Sequence, residues 1–276
     1  MDLNIRFSIV NIAQIYYICI MIEEIKSKDK KEEIKLGKWD QDKLENIMTK
    51  ASQVDRVGRK IDFISRQFLG TQYSESTLIG SEKTREVFVV NLSGVDCFTF
   101  IDYVEALRLS DSFFVFKDNL IHIRYRSGII SFDHRNHFFS DWSVFNRDLI
   151  EDATVKVGGR QTQSTQKMLN VKENGTLYLP GTIPIKRTIN FIHAGDLNER
   201  IMGKLRTGDY IGIYTDNAGL DVTHVGIIIK RKGTTYLRHA SSLPEFRKVV
   251  DQEFQTYMVG RPGFIVLRPR NMENSP

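Results

Sequence analysis

The sequence predicts an α+β fold in which helices come first along the chain and strands dominate later. Within residues 40–68 the apolar residues recur at helical spacing, and another apolar helix pattern begins at Cys97. The last third consists of short β-branched and aromatic runs separated by turn residues. Because helices and strands are segregated rather than alternating, we expect an antiparallel sheet with helices packed on it.

The predicted elements follow from these patterns in chain order. We expect two helices within 40–68, ending at Gly70, a strand at 87–92, and a helix from Cys97 to about Ser110. Alternating apolar residues predict a hairpin of 121–125 with 129–132, and residues 138–150 could hold another short helix. Four later β-type runs predict strands at 210–214, 222–229, 235–239 and 264–267. Residues 158–175 are polar and indicate a surface segment.

The N-terminus divides into an apolar and a charged segment. Residues 7–22 carry no charge, which matches the length of a signal-peptide core and is short for a membrane-spanning helix. No small-x-small cleavage site follows, so a signal, an uncleaved anchor and a structural helix all stay open. We expect a signal or anchor at 1–22, a charged linker at 23–39, and one domain over 40–276. Export would place the domain in the periplasm or outside the cell, with membrane contact only through the first segment.

Composition and charge narrow the class of protein. The chain is 41% apolar and 26% charged, as globular proteins are, so collagen, coiled coils and wholesale disorder are excluded. The net charge of +5 is scattered, which gives little support to nucleic-acid binding. There are two cysteines, Cys19 and Cys97, too few for a cysteine-rich zinc site. We expect no metal, no other cofactor and no nucleic-acid partner.

Cys97 is the first candidate for chemistry. It follows Asp96 and opens a predicted helix, where unpaired N–H groups and the helix dipole favour a thiolate. On this ground we expect a lowered thiol pKa. A buried structural cysteine is the alternative, and Cys97 taken alone does not decide between the two.

Two histidines supply a base for that thiol. His224 lies at the start of an apolar β-run, and His239 ends the next predicted strand fifteen residues later. The turn at 230–233 would join the two strands as antiparallel neighbours, so their side chains would lie about 5 Å apart. One histidine could then accept the thiol proton while the other orients it.

The segment DHRNHFFSDW at 133–142 concentrates polar and aromatic residues. This segment has three interpretations. It could bind a metal ion, it could be a strand and turn whose polar groups bond to one another, or it could form a wall of the substrate site. In the third, Arg135 would pair with a substrate carboxylate and the aromatic faces would pack against sugar or peptide.

Several motifs together resemble the NlpC superfamily of papain-like cell-wall cysteine amidases, and more closely its N-acetylmuramoyl-L-alanine amidase-like family. The order of a helix-opening cysteine, a Gly-Asp pair before a strand, His-Val-Gly and a polar strand residue carries the resemblance. The motifs that match are LGTQY at 69–73, VDCFTF at 95–100, RNHFFSDW at 135–142, LDVTHVG at 220–226 and RHAS at 238–241.

The resemblance implies a papain-like fold and a role for each matching residue. Cys97 would be the nucleophile, His224 the general base and acid, and His239 the orienting residue. Tyr73 would lie beside the thiol, although this chain has Gln72 where the family often has proline. The remaining predicted substrate contacts are Asp96, Arg135, His137, Asp141 and Trp142.

The resemblance also implies a substrate class, peptidoglycan fragments (muropeptides). The favoured bond is the amide between N-acetylmuramic acid and L-alanine, cleaved through a thiolate acyl-enzyme. The alternatives are the γ-D-glutamyl–diamino acid bond of cell-wall peptides and a non-catalytic wall-binding relative.

Overall fold

The computed structural model describes residues 32–271. Its α-helices are α1 (Gln41–Ser52), α2 (Val57–Arg66), α3 (Cys97–Arg108), α4 (Phe113–Arg124), α5 (Phe139–Phe145), α6 (Thr154–Gly158), α7 (Glu199–Lys204) and α8 (Phe254–Met258). Short 3-10 turns occupy Arg126–Gly128, Phe132–His134, Gly159–Gln161 and Ala194–Asp196. Within the described range, none of the helices is both long and apolar enough to cross a bilayer.

The strands form one large antiparallel sheet and two small parallel pairs. They are β1 (Glu32–Lys35), β2 (Gln72–Tyr73), β3 (Phe88–Asn91), β4 (Gly94–Val95), β5 (Ile150–Asp152), β6 (Thr162–Leu169), β7 (Ile185–His193), β8 (Tyr210–Tyr214), β9 (Val222–Arg231), β10 (Thr234–Ala240), β11 (Val249–Glu253) and β12 (Gly263–Pro269). The large sheet runs β11-β10-β9-β8-β12-β7-β6, and β5 adds to β12. The smaller pairs are β1 with β3 and β2 with β4.

Helices cover both faces of the large sheet. Along β8, Tyr210 and Tyr214 pack with residues of α1–α5, whereas Ile211 and Ile213 pack with residues of α6–α8. This alternation follows from the two-residue period of a strand, which sends successive side chains to opposite faces. The predicted mixture of helices and an antiparallel sheet is therefore confirmed.

Helix α3 is buried on almost every side, unlike an amphipathic surface helix. Polar bonds fix it to its neighbours: the Tyr210 hydroxyl donates to Glu105 over 2.8 Å, and the Trp142 indole donates to Asp102 over 3.0 Å. Arg124 of α4 also donates to Asp102. These buried bonds fix the position of α3 relative to the sheet, and therefore also the position of Cys97, the first residue of the helix.

The hairpin predicted from residues 121–132 is wrong, because α4 covers its first half. Ser112 caps this helix, and its apolar residues recur at helical spacing and are buried. The alternation of apolar and polar residues at 121–125 arises where the buried face of this helix passes through the segment, and it resembles the pattern of a strand. The two helices predicted within 40–68 and the four late strands are confirmed.

Two further segments differ from the prediction. The polar segment at 158–175 contains β6, whose outward residues are exposed because it is the edge of the sheet. The linker predicted at 23–39 is wrong from Glu32 onward, since β1 pairs with β3 and Trp39 is buried. The predicted signal or anchor segment, the first part of the linker and Cys19 lie outside the described residues.

Candidate active site

Cys97 is the first residue of α3, and Asp96 caps the helix directly before it. One oxygen of the Asp96 carboxylate accepts from the backbone N–H of Phe98 at 2.9 Å and of Thr99 at 2.7 Å. The Thr99 hydroxyl accepts in return from the Asp96 N–H, completing a capping box. The N–H of Cys97 has no acceptor within the helix because it opens the first turn. It is therefore a candidate backbone donor for a substrate oxygen.

The thiol of Cys97 is protonated at neutral pH. Burial, with a smaller contribution from the nearby Asp96 carboxylate, raises its pKa to about 12. The N–H groups of Val225, Cys97 and Phe98 act in the opposite direction, as expected at a helix start, but burial outweighs them. The expectation of a lowered thiol pKa is therefore wrong for the resting site, and the thiol needs a base.

His224 and His239 form a hydrogen-bonded pair and are the candidate base. His224 Nε2 lies 2.7 Å from His239 Nδ1, with the two rings nearly perpendicular at 88°. The strands pair with Arg238 opposite Ile227, which places His239 opposite Gly226 and diagonal to His224. A Cβ at Gly226 would lie 3.0 Å from that of His239, so glycine leaves room for the second ring. The predicted adjacency of the histidines is confirmed, as diagonal rather than opposed residues.

Gln252 of β11 extends this pair. Its Oε1 lies 2.7 Å from His239 Nε2, so three side chains on three neighbouring strands form a hydrogen-bonded row. Burial lowers the pKa of His224 to about 3 and that of His239 to about 4. Smaller effects are included in these values: the His239 ring and Arg261 also lower the pKa of His224, while for His239 the bond to Gln252 raises the pKa and Arg261 lowers it. Both rings are therefore neutral at pH 7, and a neutral imidazole can accept a proton.

An aromatic ring covers the histidine pair. The Tyr257 ring centroid lies 5.0 Å from that of His239 and 6.4 Å from that of His224. The Arg261 guanidinium lies over the other part of this ring, 4.2 Å from its centroid. This stack shields the imidazoles from water and supplies the desolvation that keeps them neutral.

Cys97 and His224 line the same cavity of about 330 Å³. The remaining lining residues are largely aromatic and aliphatic: Phe98, His137, Phe138, Phe139, Tyr178, Leu179, Leu220, Asp221, Val222, Thr223 and Val225. Such a cavity, apolar with a few polar groups at one point, is typical of small-ligand sites. Wider clefts, such as one of about 610 Å³ near Arg206 and Arg268, are lined by charged residues without a cysteine or histidine.

A hairpin forms one wall of the cavity. Tyr178 and Leu179 belong to the connection between β6 and β7, and the buried Asn170 holds this connection in place. The Asn170 side chain accepts from the Leu179 N–H at 2.7 Å and donates to the carbonyl of Leu179 and the hydroxyl of Thr182. The Asn170 N–H donates to Gly219, so the wall is fixed to the loop between β8 and β9.

The same loop is held by Lys167 of β6. Its ammonium donates to the carbonyls of Asn217 at 3.1 Å and Leu220 at 2.9 Å, and also to that of Thr215. Asp221, at the end of this loop, accepts from the N–H groups of Ser140 and Val222. The cavity rim is therefore preorganised by bonds to backbone groups.

Three predicted wall residues do not line the cavity. Trp142 is fully buried, so its predicted contact with substrate is wrong. Arg135 is bound to Glu86 by two bonds, and Asp141 is buried and paired with Arg187. These residues belong to the segment at 133–142. Most polar side chains of this segment are bonded to other groups of the protein, which leaves them unavailable to a substrate.

The other predicted contacts are closer to the thiol. His137 lines the cavity, with Nε2 2.6 Å from the carbonyl of Phe132. Tyr73 is half-buried and near enough for Cys97 to influence its pKa, which burial raises first. Asp96 uses one carboxylate oxygen for capping, as described above. Substrate binding by these three residues stays a prediction.

No group of three or more histidine, cysteine, aspartate or glutamate side chains within residues 32–271 is arranged to hold a metal ion. The sequence did not indicate Gln252, Tyr257 or Tyr178. Gln252 lies in a polar strand without an alternating signal, and the two tyrosines lie in short irregular segments. Their proximity to the histidines and the thiol depends on strand pairing that no local pattern encodes.

Comparison with solved structures shows the same fold in other proteins. A Legionella pneumophila protein of the DUF1460 family superposes with a TM-score of 0.72 at 21% identity, over 84% of this chain and 94% of that one. An N-acetylmuramoyl-L-alanine amidase from Bacteroides uniformis has a TM-score of 0.66 at 24% identity, over 78% and 99%. A Bacteroides fragilis protein provisionally named a xylanase has a TM-score of 0.57 at 27% identity, over 74% and 98%.

No curated protein sequence matches the chain. One family model does match, over residues 63–264, and its description is N-acetylmuramoyl-L-alanine amidase-like. The matched range contains Cys97, both histidines of the pair and Gln252, and covers more than half of the chain. The chain therefore belongs to the N-acetylmuramoyl-L-alanine amidase-like family.

Proposed function

We propose that this protein is a cysteine amidase that hydrolyses the amide between N-acetylmuramic acid and L-alanine in peptidoglycan fragments. The observation that carries the proposal is the hydrogen-bonded row of histidines ending at the cavity that contains Cys97. A helix-opening cysteine packed against an antiparallel sheet, followed by two strand histidines, is also the arrangement for which we propose a papain-like fold and membership of the NlpC superfamily.

The first chemical step transfers a proton. His224 Nε2 faces His239, so only Nδ1 of His224 is free to take the proton from the Cys97 thiol. The sulfur then attacks the carbon of the amide carbonyl group, and the carbonyl oxygen becomes an oxyanion. The Cys97 N–H is available to stabilise this oxygen, because Asp96 caps the next two N–H groups instead.

The second step breaks the amide. The protonated His224 gives its proton to the amide nitrogen, the carbon–nitrogen bond breaks, and the peptide leaves as an amine. The lactyl carbonyl stays on sulfur as a thioester. Water, deprotonated by the again neutral His224, attacks this thioester and regenerates the thiol. The net reaction consumes one water and needs no cofactor.

The family and the named relative support the choice of bond. The Bacteroides uniformis protein with this fold is named an N-acetylmuramoyl-L-alanine amidase. A cavity of about 330 Å³ suits a fragment rather than an intact polymer. The γ-D-glutamyl–diamino acid bond is the alternative substrate. We further propose action in the cell envelope on released muropeptides.

The xylanase name of one structural relative is not supported by this cavity. Glycoside hydrolysis normally uses two carboxyl groups on either side of the bond. Among the residues that line the cavity, Asp221 is the one carboxylate, and backbone N–H groups of Ser140 and Val222 bind both of its oxygens. A non-catalytic wall-binding module is also disfavoured, because it has no need of a base beside a thiol.

Incubation with N-acetylmuramoyl-L-alanyl-D-isoglutamine tests the proposal. The expected products, measured by mass spectrometry, are N-acetylmuramic acid and L-alanyl-D-isoglutamine. Cys97→Ala and Cys97→Ser should abolish turnover without unfolding the protein, His224→Ala should be nearly as severe, and His239→Ala milder.

A matched control is His193→Ala, whose side chain accepts from the Gly195 N–H in a surface turn. This variant should keep wild-type turnover. Full activity in Cys97→Ala would refute the cysteine mechanism. Cleavage inside a longer stem peptide, with the lactyl amide intact, would support the alternative bond instead.

A further inference from the structure

The hydrogen bonds that join the side chains of His224, His239 and Gln252, on β9, β10 and β11, all run in one direction from donor to acceptor. His224 Nε2 faces His239 Nδ1 at 2.7 Å, and His239 Nε2 faces the Oε1 atom of Gln252 at the same distance. His239 is almost completely buried, with 1% exposure, so water does not offer its ring alternative partners. Both nitrogens of the His239 ring must therefore find their donor or acceptor within the row.

An amide oxygen can only accept a hydrogen bond. If Oε1 of Gln252 faces His239, then His239 Nε2 carries the hydrogen. The lone pair of the neutral His239 ring is then on Nδ1, which accepts from His224 Nε2–H. The lone pair of His224 is consequently on Nδ1, the nitrogen left for the thiol. The orientation of one glutamine amide thus determines both tautomers.

The fold holds Gln252 at this distance through its neighbours. Arg238 pairs across the strands with Asp251, through bonds of 2.7 and 2.8 Å, on the face of the sheet opposite to His239. The Arg238 guanidinium is fully buried and also donates to Asp62 and Ser65 of α2. The residues directly before His239 and Gln252 are therefore clamped together, and β10 and β11 cannot slide at this point.

Gln252 is also suited to this position because its side chain carries no charge. The charged and titratable groups around the pair are Arg261 and Tyr257 after β11, Asp251 beside Gln252, and Cys97 at the start of α3. A carboxylate at 252 would accept the same hydrogen bond but would add a negative charge and favour a protonated ring. A glutamine orients the ring while leaving it neutral, as a base must be.

We infer that Gln252 is a positioning residue, which fixes His239 and His224 as Nε2–H tautomers and so presents the Nδ1 lone pair of His224 to the Cys97 thiol. The tautomer assignment is independent of the reaction, whereas its catalytic consequence rests on the proposed function. Gln252 does not touch the substrate or the thiol; it acts through His239.

Nitrogen NMR of the full chain tests the tautomers directly. Protein labelled with ¹⁵N-histidine, measured at pH 7, should show His224 and His239 as neutral Nε2–H rings in long-range ¹H–¹⁵N spectra. Gln252→Leu should convert His239 to a mixture of tautomers, whereas Gln252→Glu should keep Nε2–H. A wild-type His239 with its hydrogen on Nδ1, or an unchanged spectrum in Gln252→Leu, would overturn the inference.

Kinetics provide the second measurement. On N-acetylmuramoyl-L-alanyl-D-isoglutamine, Gln252→Leu should lower kcat by about 100-fold with little change in KM, because a wrong tautomer removes the base and not the binding surface. Gln252→Glu should recover part of this loss and shift the acidic limb of the pH profile upward. The control Gln255→Leu, at an exposed position three residues later, should leave kcat and both tautomers unchanged. Equal kcat in Gln252→Leu and wild type would refute the positioning role.

The two readouts separate the two hypotheses. If the tautomers are as inferred but Cys97→Ala remains active, the proposed function fails while the assignment stands. If Cys97→Ala is inactive but the tautomers do not depend on Gln252, the proposed function stands and the inference fails. The wild-type spectrum keeps the test valid even if a variant at 252 does not fold.

Discussion

At the scale of single residues, the site rests on neutral groups in their resting state. Burial raises the pKa of the Cys97 thiol to about 12 and lowers that of His224 to about 3. Under the proposed function, the proton would move only when the substrate is bound, rather than being separated in advance as an imidazolium–thiolate pair. This differs from the simple expectation that a helix start produces a thiolate.

The pH dependence of turnover follows from these values. Protonation of His224 removes the base, and this requires the pH to fall towards 3, far below the ordinary 6.5 of histidine. We expect kcat/KM to change by no more than about twofold between pH 8 and pH 5, and to fall below about pH 4. Circular dichroism at each pH would confirm that the protein stays folded.

Alkylation by iodoacetamide gives an independent measure of the same state. The rate at Cys97 should rise with pH beyond 9, the ordinary pKa of the thiol, because the thiolate forms late. Rapid alkylation at pH 6.5, or an acidic limb of kcat/KM centred near 6.5, would show that the resting pair is already ionised.

Residue types and order predicted which groups would meet at the cavity, but not all of their surroundings. Cys97 and the two histidines were found because a helix start and neighbouring strands place them predictably. Trp142 and Arg135 were assigned to substrate because their chemistry suits both a binding site and a buried polar network. Gln252 was missed because its role arises from the pairing of β10 with β11, not from the sequence around it.

At the scale of elements, the connection between β6 and β7 forms one wall of the cavity that contains the thiol. Its Tyr178 and Leu179 line the cavity, and the Asn170 side-chain bonds are among the contacts that hold this segment in place. The sequence indicated only a polar surface here, since an exposed edge strand lacks the apolar alternation by which strands are recognised.

Asn170→Gly tests the holding role of these bonds. Asn170 has a φ of +76°, which glycine tolerates, so this variant removes the side-chain bonds without backbone strain. We expect KM for the muramyl dipeptide to rise about tenfold with kcat nearly unchanged, as the loss of one or two net hydrogen bonds implies. Faster hydrogen exchange at 170–182 should accompany it.

The matched control is Asn174→Gly, at the exposed tip of the same connection, where the side chain bonds only to Thr176. This variant should leave KM at the wild-type value. An unchanged KM in Asn170→Gly would mean that the wall does not contact the substrate.

At the scale of the whole molecule, buried neutral histidines link stability to pH. His137, like His224 and His239, has a lowered pKa, about 4, caused mainly by burial. In the unfolded chain it would titrate near 6.5, so between these values the unfolded state binds more protons. The contribution of His137 to stability is complete above 6.5 and is lost as the pH falls towards 4.

His137→Gln should remove this contribution. The difference in unfolding free energy between wild type and the variant, measured in urea, should shrink by up to about 1.4 kcal/mol per pH unit between pH 6.5 and pH 4. Comparison with the variant cancels the buried carboxylates, whose raised pKa values act in the opposite direction. A difference that is constant with pH would contradict the assignment of a neutral, half-buried His137.

The wall and the reacting groups come from different parts of the chain. The thiol and the histidines belong to α3 and to strands inside the sheet, whereas Tyr178 and Leu179 arrive on a hairpin at its edge. Under the proposed function, substitutions in that hairpin would therefore change which cell-wall fragment is accepted without altering the groups that react. Grafting the corresponding hairpin of a relative onto this chain is accordingly the shortest route to a new specificity.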